Sequence, residues 1–109
     1  MHELALTQSV VETIVERTQS ARVTAVYLGI GKVSGVLPDA VRFCFDVVAA
    51  GSPVEGARLE IEEPPGRARC RDCAREFEVD GLLVLCPCGG ANVEVLGGEE
   101  LLIRAVEVV

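Results

Sequence analysis

The chain has 109 residues, a formal net charge of −7 at pH 7, and a composition that is half hydrophobic but only 4% aromatic. That length supports about one domain with a small appended module, and Val, Leu, Ile and Ala must fill the core. The acidic balance argues against a nucleic-acid binder, whose affinity comes from neutralising phosphates, and against binding to an anionic membrane surface.

No apolar run reaches the roughly 18–20 residues that span a bilayer. The N-terminus has no basic segment leading into a cleavable apolar stretch. The expected location is the cytoplasm, with no membrane partner. There the five cysteines point to metal ligands or buried thiols rather than disulfides.

In chain order, residues 4–20 read as a helix. Leu6, Val10 and Ile14 recur every four positions, and Val11 and Val15 widen the stripe. Residues 22–33 read as a strand in which Val26, Leu28 and Ile30 share a face, while Gly29 and Gly31 imply close backbone approach. A second helix opens at Pro38, with Asp39 at its positive end and Gly51 just past its last turn. Val41, Phe45 and Val48 form its apolar stripe, and Cys44 within it reads as a buried, inert thiol. Residues 57–63 form a second strand, stopped by Pro64-Pro65-Gly66.

Residues 67–90 differ in character, with four arginines, four cysteines and few core formers. Residues 91–109 then read as two strands around a Gly97-Gly98 turn. The expected fold is α/β: a two-layer domain of two helices on a small three- to four-stranded sheet, built from residues 1–66 and 91–109. A four-cysteine zinc-ribbon-like module, residues 67–90, is inserted into it.

The cysteines fall in two pairs, Cys70/Cys73 in "CRDC" and Cys86/Cys88 in "CPCG". A two-residue spacer lets both thiolates of one turn face a single ion, and two such turns close a tetrahedral sulfur site of the structural zinc type. Bound metal would supply folding free energy to a segment with little core of its own. The second pair has only Pro87 as its spacer. Pro87 fixes one φ angle and Gly89-Gly90 permit an unusual one, so the chain can still bend around the ion. Four sulfur ligands leave no open position for catalysis, and no thioredoxin-like context supports a redox pair.

The single histidine, His2, stands beside the terminal amine. The Met1 amine and the His2 amide nitrogen form a five-membered chelate, and that amide with the imidazole Nδ1 forms a six-membered one. Three nitrogens in a plane favour Ni(II) or Cu(II) over tetrahedral Zn(II). Glu3 adds a backbone nitrogen or a carboxylate oxygen. The motif alone leaves open an incidental histidine at a fraying terminus.

Taken together, "MHE", "LGIGKVSGVLPDAVRFCFDVV", "EGARLEIEEPP", "CRDC…CPCGG" and "ELLIRAVEV" resemble the HypA/HybF family of nickel metallochaperones for [NiFe]-hydrogenase maturation, nearly end to end. The resemblance implies a nickel domain and a zinc domain. Ni(II) would be held by His2 with the Met1 amine and Glu3 beside it, and Zn(II) by Cys70, Cys73, Cys86 and Cys88. It also implies a nickel-handling partner GTPase (HypB), delivery to the hydrogenase large subunit, and no enzymatic activity of its own.

Nothing in the residues argues for an enzyme. No histidine lies outside position 2, and "GIGKVSG" lacks the spacing and the Lys-Ser/Thr end of a phosphate-binding loop. The alternative reading is a zinc-ribbon nucleic-acid or protein-interaction module, motivated by Arg67, Arg69, Arg71 and Arg75 around the knuckle. Pairing of these arginines with Asp72, Glu76, Glu78 and Asp80 is the expected counter-arrangement.

Overall fold

The computed structural model describes residues 2–81 and 83–109. The elements are α1 (Glu3–Arg17), β1 (Val23–Ile30), α2 (Pro38–Ala49), β2 (Arg58–Glu62), β3 (Gly66–Cys70), β4 (Glu76–Val79), β5 (Val93–Gly97) and β6 (Leu101–Val108). They form two three-stranded sheets, ordered β2-β1-β6 and β4-β3-β5. The molecule is extended, 51 × 22 × 18 Å, with a radius of gyration of 16.7 Å. A single compact body of this length would have a radius of about 13 Å, so the two sheets make two lobes set end to end. No helix among the described residues is long and apolar enough to cross a membrane.

The first lobe has the expected two-layer α/β form, with α1 and α2 on one face of β2-β1-β6. Strand β1 pairs in parallel with β2 and antiparallel with β6. It is the central strand, and Val23, Val26, Leu28 and Ile30 are all buried. Against them pack Val10, Val11 and Ile14 of α1 and Val41, Phe45 and Ala49 of α2. The apolar stripes of both helices thus become the core. Cys44, read from sequence as buried, is only half-buried, because it sits on the flank of the α2 stripe. α1 ends earlier than its periodicity predicts. Gln19 takes a left-handed φ of 54°, and the Ser20 N–H bonds back to the Val15 carbonyl at 2.9 Å, closing the helix in a Schellman-type turn.

The last two strands form as expected but do not pair with each other. The sequence assigns residues 91–109 as a whole to the α/β body. β5 instead pairs antiparallel with β3 in the second sheet, and only β6 joins β1. β6 takes the edge of β1 that β2 leaves, and β4 and β5 take the two edges of β3. Gly98, at φ 88°, carries the chain from one sheet to the other.

At the junction three backbones touch. A Cβ at Gly31 would overlap the Gly98 carbonyl, and one at Gly98 would overlap Gly66. The segment after β1 is bonded across this crossing: Gly31 N–H to the Glu100 carbonyl at 2.9 Å, Lys32 N–H to Pro64 at 3.0 Å and Val33 N–H to Gly98 at 3.0 Å. Residues 31–37 therefore run from the lobe junction to the start of α2.

Candidate functional site

The second lobe brings the four predicted cysteines together. The sulfurs of Cys70, Cys73, Cys86 and Cys88 all lie within 4.8 Å of one another. Cys70 Sγ is 3.9 Å from Cys88 Sγ, and Cys73 Sγ is 3.5 Å from Cys86 Sγ. A tetrahedral zinc site with bonds of about 2.3 Å requires sulfur–sulfur edges of about 3.8 Å, so the donor set fits such an ion in both chemistry and size. All five cysteines are free thiols.

Local backbone geometry explains the convergence. β3 delivers Cys70, whose N–H bonds to the Arg75 carbonyl at 2.8 Å, while its own carbonyl accepts from Ala74 N–H at 2.8 Å. Ala74 sits in the left-handed region at φ 63° to complete this turn. In the shorter pair, Gly89 N–H bonds back to the Cys86 carbonyl at 2.8 Å, making Cys86–Gly89 a four-residue turn with Pro87 in the position it favours. Gly89 follows at φ 94°. A single spacer therefore suffices, because the turn itself folds Cys88 back toward Cys70. A second bond, from Cys86 N–H to the Gly90 carbonyl at 2.9 Å, closes the knuckle. A Cβ at Gly90 would lie 3.4 Å from Cys88 Sγ and 3.6 Å from Cys70 Sγ, so this glycine lets the backbone lie against the sulfurs. The sequence signalled Gly90 as a turn residue but not as packing against the thiols.

The backbone N–H of Cys88, 3.4 Å from Cys86 Sγ, favours the Cys86 thiolate. Burial and the hydrogen-bonded thiols of Cys88, Cys73 and Cys70 outweigh it and push Cys86 up to about 12. Without metal Cys86 therefore holds its proton, and an ion binding its sulfur must displace it. Cys70 and Cys86 are buried, whereas Cys73 and Cys88 are exposed, so each pair contributes one inner and one outer sulfur.

Two of the four arginines around the knuckle are paired with carboxylates. Arg67 pairs with Glu76 at 3.4 Å and Arg69 with Glu94 at 3.1 Å. Arg71 donates to Asn92 Oδ1 and the Val93 carbonyl, both at 3.3 Å. Asp80 pairs with Lys32 rather than with an arginine. Register places Arg69 opposite both Glu76 of β4 and Glu94 of β5; it pairs with Glu94, while Glu76 pairs with Arg67.

At the other end, Met1 lies outside the described residues. His2 is exposed and is the N-cap residue of α1, with no capping bond from its side chain; its carbonyl accepts from Leu6 N–H at 2.8 Å. Glu3, next in the chain, is buried at 7% exposure. Its carboxylate Oε2 accepts the backbone N–H of Leu37 at 3.1 Å, and its carbonyl accepts the Thr7 hydroxyl at 2.6 Å. The Leu37 N–H, then Glu3's own N–H, hold the carboxyl below its ordinary range against the opposing effect of burial. The structure thus separates the two groups of expected ligands into opposite lobes. It also adds a residue that sequence pattern could not find: Leu37 takes part through its backbone, which has no side-chain signature.

A family model described as hydrogenase/urease nickel incorporation, metallochaperone, hypA, matches residues 1–108. A curated relative, hydrogenase maturation factor HypA of Geotalea uraniireducens, is 49% identical over 109 residues, covering 99% of each chain. The protein of that name from Nostoc sp. is 45% identical over 108 residues, covering 99% of this chain and 96% of its own. The solution structure of the Ni metallochaperone HypA from Helicobacter pylori superposes with a TM-score of 0.68 at 25% identity, covering 100% of this chain and 98% of that one.

Proposed function

This chain belongs to the HypA family of hydrogenase/urease nickel-incorporation metallochaperones, and on that basis we propose that it takes up Ni(II) at its N-terminus and delivers it for [NiFe]-hydrogenase maturation. The donors are the Met1 amine, the His2 amide nitrogen and imidazole, and Glu3 through its backbone nitrogen. The observation that carries this reading is the position of His2. As N-cap it is exposed, and the first backbone N–H groups of a helix have no partners within the helix. The His2 and Glu3 nitrogens can therefore bind the metal without breaking the helix, each giving its proton to solvent. The Glu3 carboxylate is already engaged by Leu37, which favours the backbone nitrogen as this residue's donor.

Zn(II) is the resident ion of the second lobe, held by Cys70, Cys73, Cys86 and Cys88, and it supplies structural cross-linking there. The nickel-handling part is the α/β body and the zinc-handling part is the knuckle module. The protein works in the cytoplasm with a nickel-handling GTPase and the hydrogenase large subunit. It binds metal rather than nucleic acid, a reading supported by the pairing of Arg67 and Arg69 with Glu76 and Glu94.

Calorimetry with Ni(II) on zinc-loaded protein tests the nickel reading. His2→Ala removes the imidazole and the chelate that helps the amide lose its proton, and is expected to abolish specific nickel binding. Zinc content and fold stay intact, because an exposed N-cap side chain buries little. Matching isotherms for the wild type and His2→Ala would place nickel elsewhere.

A further inference from the structure

The proposed nickel donors lie in the part of a helix that ordinarily frays, and His2 provides no side-chain cap for α1. Besides the helical bond from Leu6 N–H to the His2 carbonyl, two bonds at this turn involve Glu3. Its carbonyl is bound by the hydroxyl of Thr7, which is 1% exposed. Its carboxylate reaches the N-cap residue of α2, Leu37, 34 positions away in sequence. The second bond is the only one of the two that leaves α1. It brings a negative carboxylate to the N-terminus of α2, where the helix dipole favours it.

We infer that Glu3 is a positioning residue for nickel binding: its carboxylate clamps the first turn of α1 to the Leu37 N–H and thereby fixes the plane in which the terminal nitrogens meet the metal, without itself being a ligand. This rests on the N-terminal nickel reading above. The physical ground is preorganisation. Two consecutive backbone nitrogens, an amine and an imidazole must share one plane, and each rotation frozen before binding need not be frozen during it. A carboxylate that turned to the metal would leave the Leu37 N–H without its acceptor and release the turn that presents the other donors.

Leu37→Pro is the sharpest probe. It deletes the donor N–H, far in sequence from every proposed ligand, at a residue whose φ of −89° needs only a small adjustment to reach proline's range of about −65 ± 15°. The Leu37 side chain is 62% exposed, and its N–H has Glu3 Oε2 as acceptor, so little else is lost. Nickel affinity of the zinc-loaded protein is expected to fall about tenfold, on the scale of one charge-assisted hydrogen bond, with the absorption band of the planar Ni(II) complex unchanged. Unchanged or tighter binding would overturn the clamp, because a carboxylate freed from Leu37 would then be an idle or a better ligand.

Glu3→Ala and Glu3→Gln provide a second test that leaves the backbone at 37 alone. Alanine is expected to lose about as much affinity as Leu37→Pro, again without altering the band, and to expose the Leu37 amide to hydrogen exchange. Glutamine keeps an acceptor oxygen and is expected to recover part of that loss and of the amide protection. Glutamine as damaging as alanine, with a shifted band, would make the carboxylate a ligand and overturn the inference. His2→Ala in the same series separates the two failures. Nickel binding that survives His2→Ala would sink the N-terminal reading and the clamp with it. Binding lost in His2→Ala but untouched by Leu37→Pro would sink the clamp alone.

Discussion

The two lobes of this molecule are built on different physical terms. The first buries a continuous cluster of eleven apolar residues, Val10 to Val54, from two helices, the central strand and the loop after α2. Among the described residues the second buries the apolar side chains Ala68, Cys70, Val79 and Cys86, and two of those four are thiols. Its three strands and knuckle occupy about thirty residues, below the roughly 40 at which chains without metals or disulfides usually fold alone. A hydrophobic core is distributed over many contacts and tolerates partial loss. A four-sulfur centre concentrates the same task in one point. The first lobe is therefore expected to fold independently of metal and the second to depend on it.

Loss of the metal is expected to strike the second lobe alone and to be the most severe perturbation. Chelation, or disabling the centre with Cys70→Ser, forfeits a contribution of about 10 kcal/mol or more. Backbone amides of β3, β4 and β5 are expected to lose hydrogen-exchange protection while those of β1 and α2 keep theirs. Protection lost across both lobes together would show that they fold as one unit. Proton linkage tests the same contrast. Because Cys86 is held up to about 12 in the metal-free cluster, metal uptake must release protons, and zinc affinity is expected to rise with pH through the neutral range. Each proton displaced gives about tenfold per pH unit, measurable by chelator competition at about pH 6 and pH 8. A flat response would mean that the thiols are already ionised.

A smaller loss is confined to the first lobe. Phe45 is 2% exposed at the centre of the apolar cluster, and Phe45→Ala is expected to cost about 3–5 kcal/mol. Denaturant unfolding followed at the helices reads that loss, and one zinc per chain is expected to remain. The mildest change improves the second lobe. Ala74 holds a φ of 63°, which an L-residue adopts at a cost of about 1–2 kcal/mol. Ala74→Gly relieves part of that strain and is expected to strengthen zinc retention by up to about 1 kcal/mol, about a fivefold shift in chelator competition. Unchanged retention would mean that the knuckle turn carries no such strain.

Local chemistry was enough to predict most of the elements and the metal-binding residue types. Helix α2 begins at Pro38 because proline suits a first helical turn. The stripes of α1 and α2 fall on the residues that become the core. The cysteine spacing identifies a four-sulfur centre before any geometry is known. Each of these depends on neighbours within a few positions, and such information is written in the chain. The remainder depends on contacts between distant residues, which only the folded arrangement creates. β5 crosses to the second sheet and takes the edge of β3 that β4 leaves. Arg69 meets Glu94 because strand register put them opposite each other. The Glu3 carboxylate, read from sequence as one of two ways this residue could meet nickel, accepts a backbone N–H 34 residues away. A peptide N–H is the same at every non-proline position, so no sequence pattern marks the one that packing of α1 against α2 brings within reach.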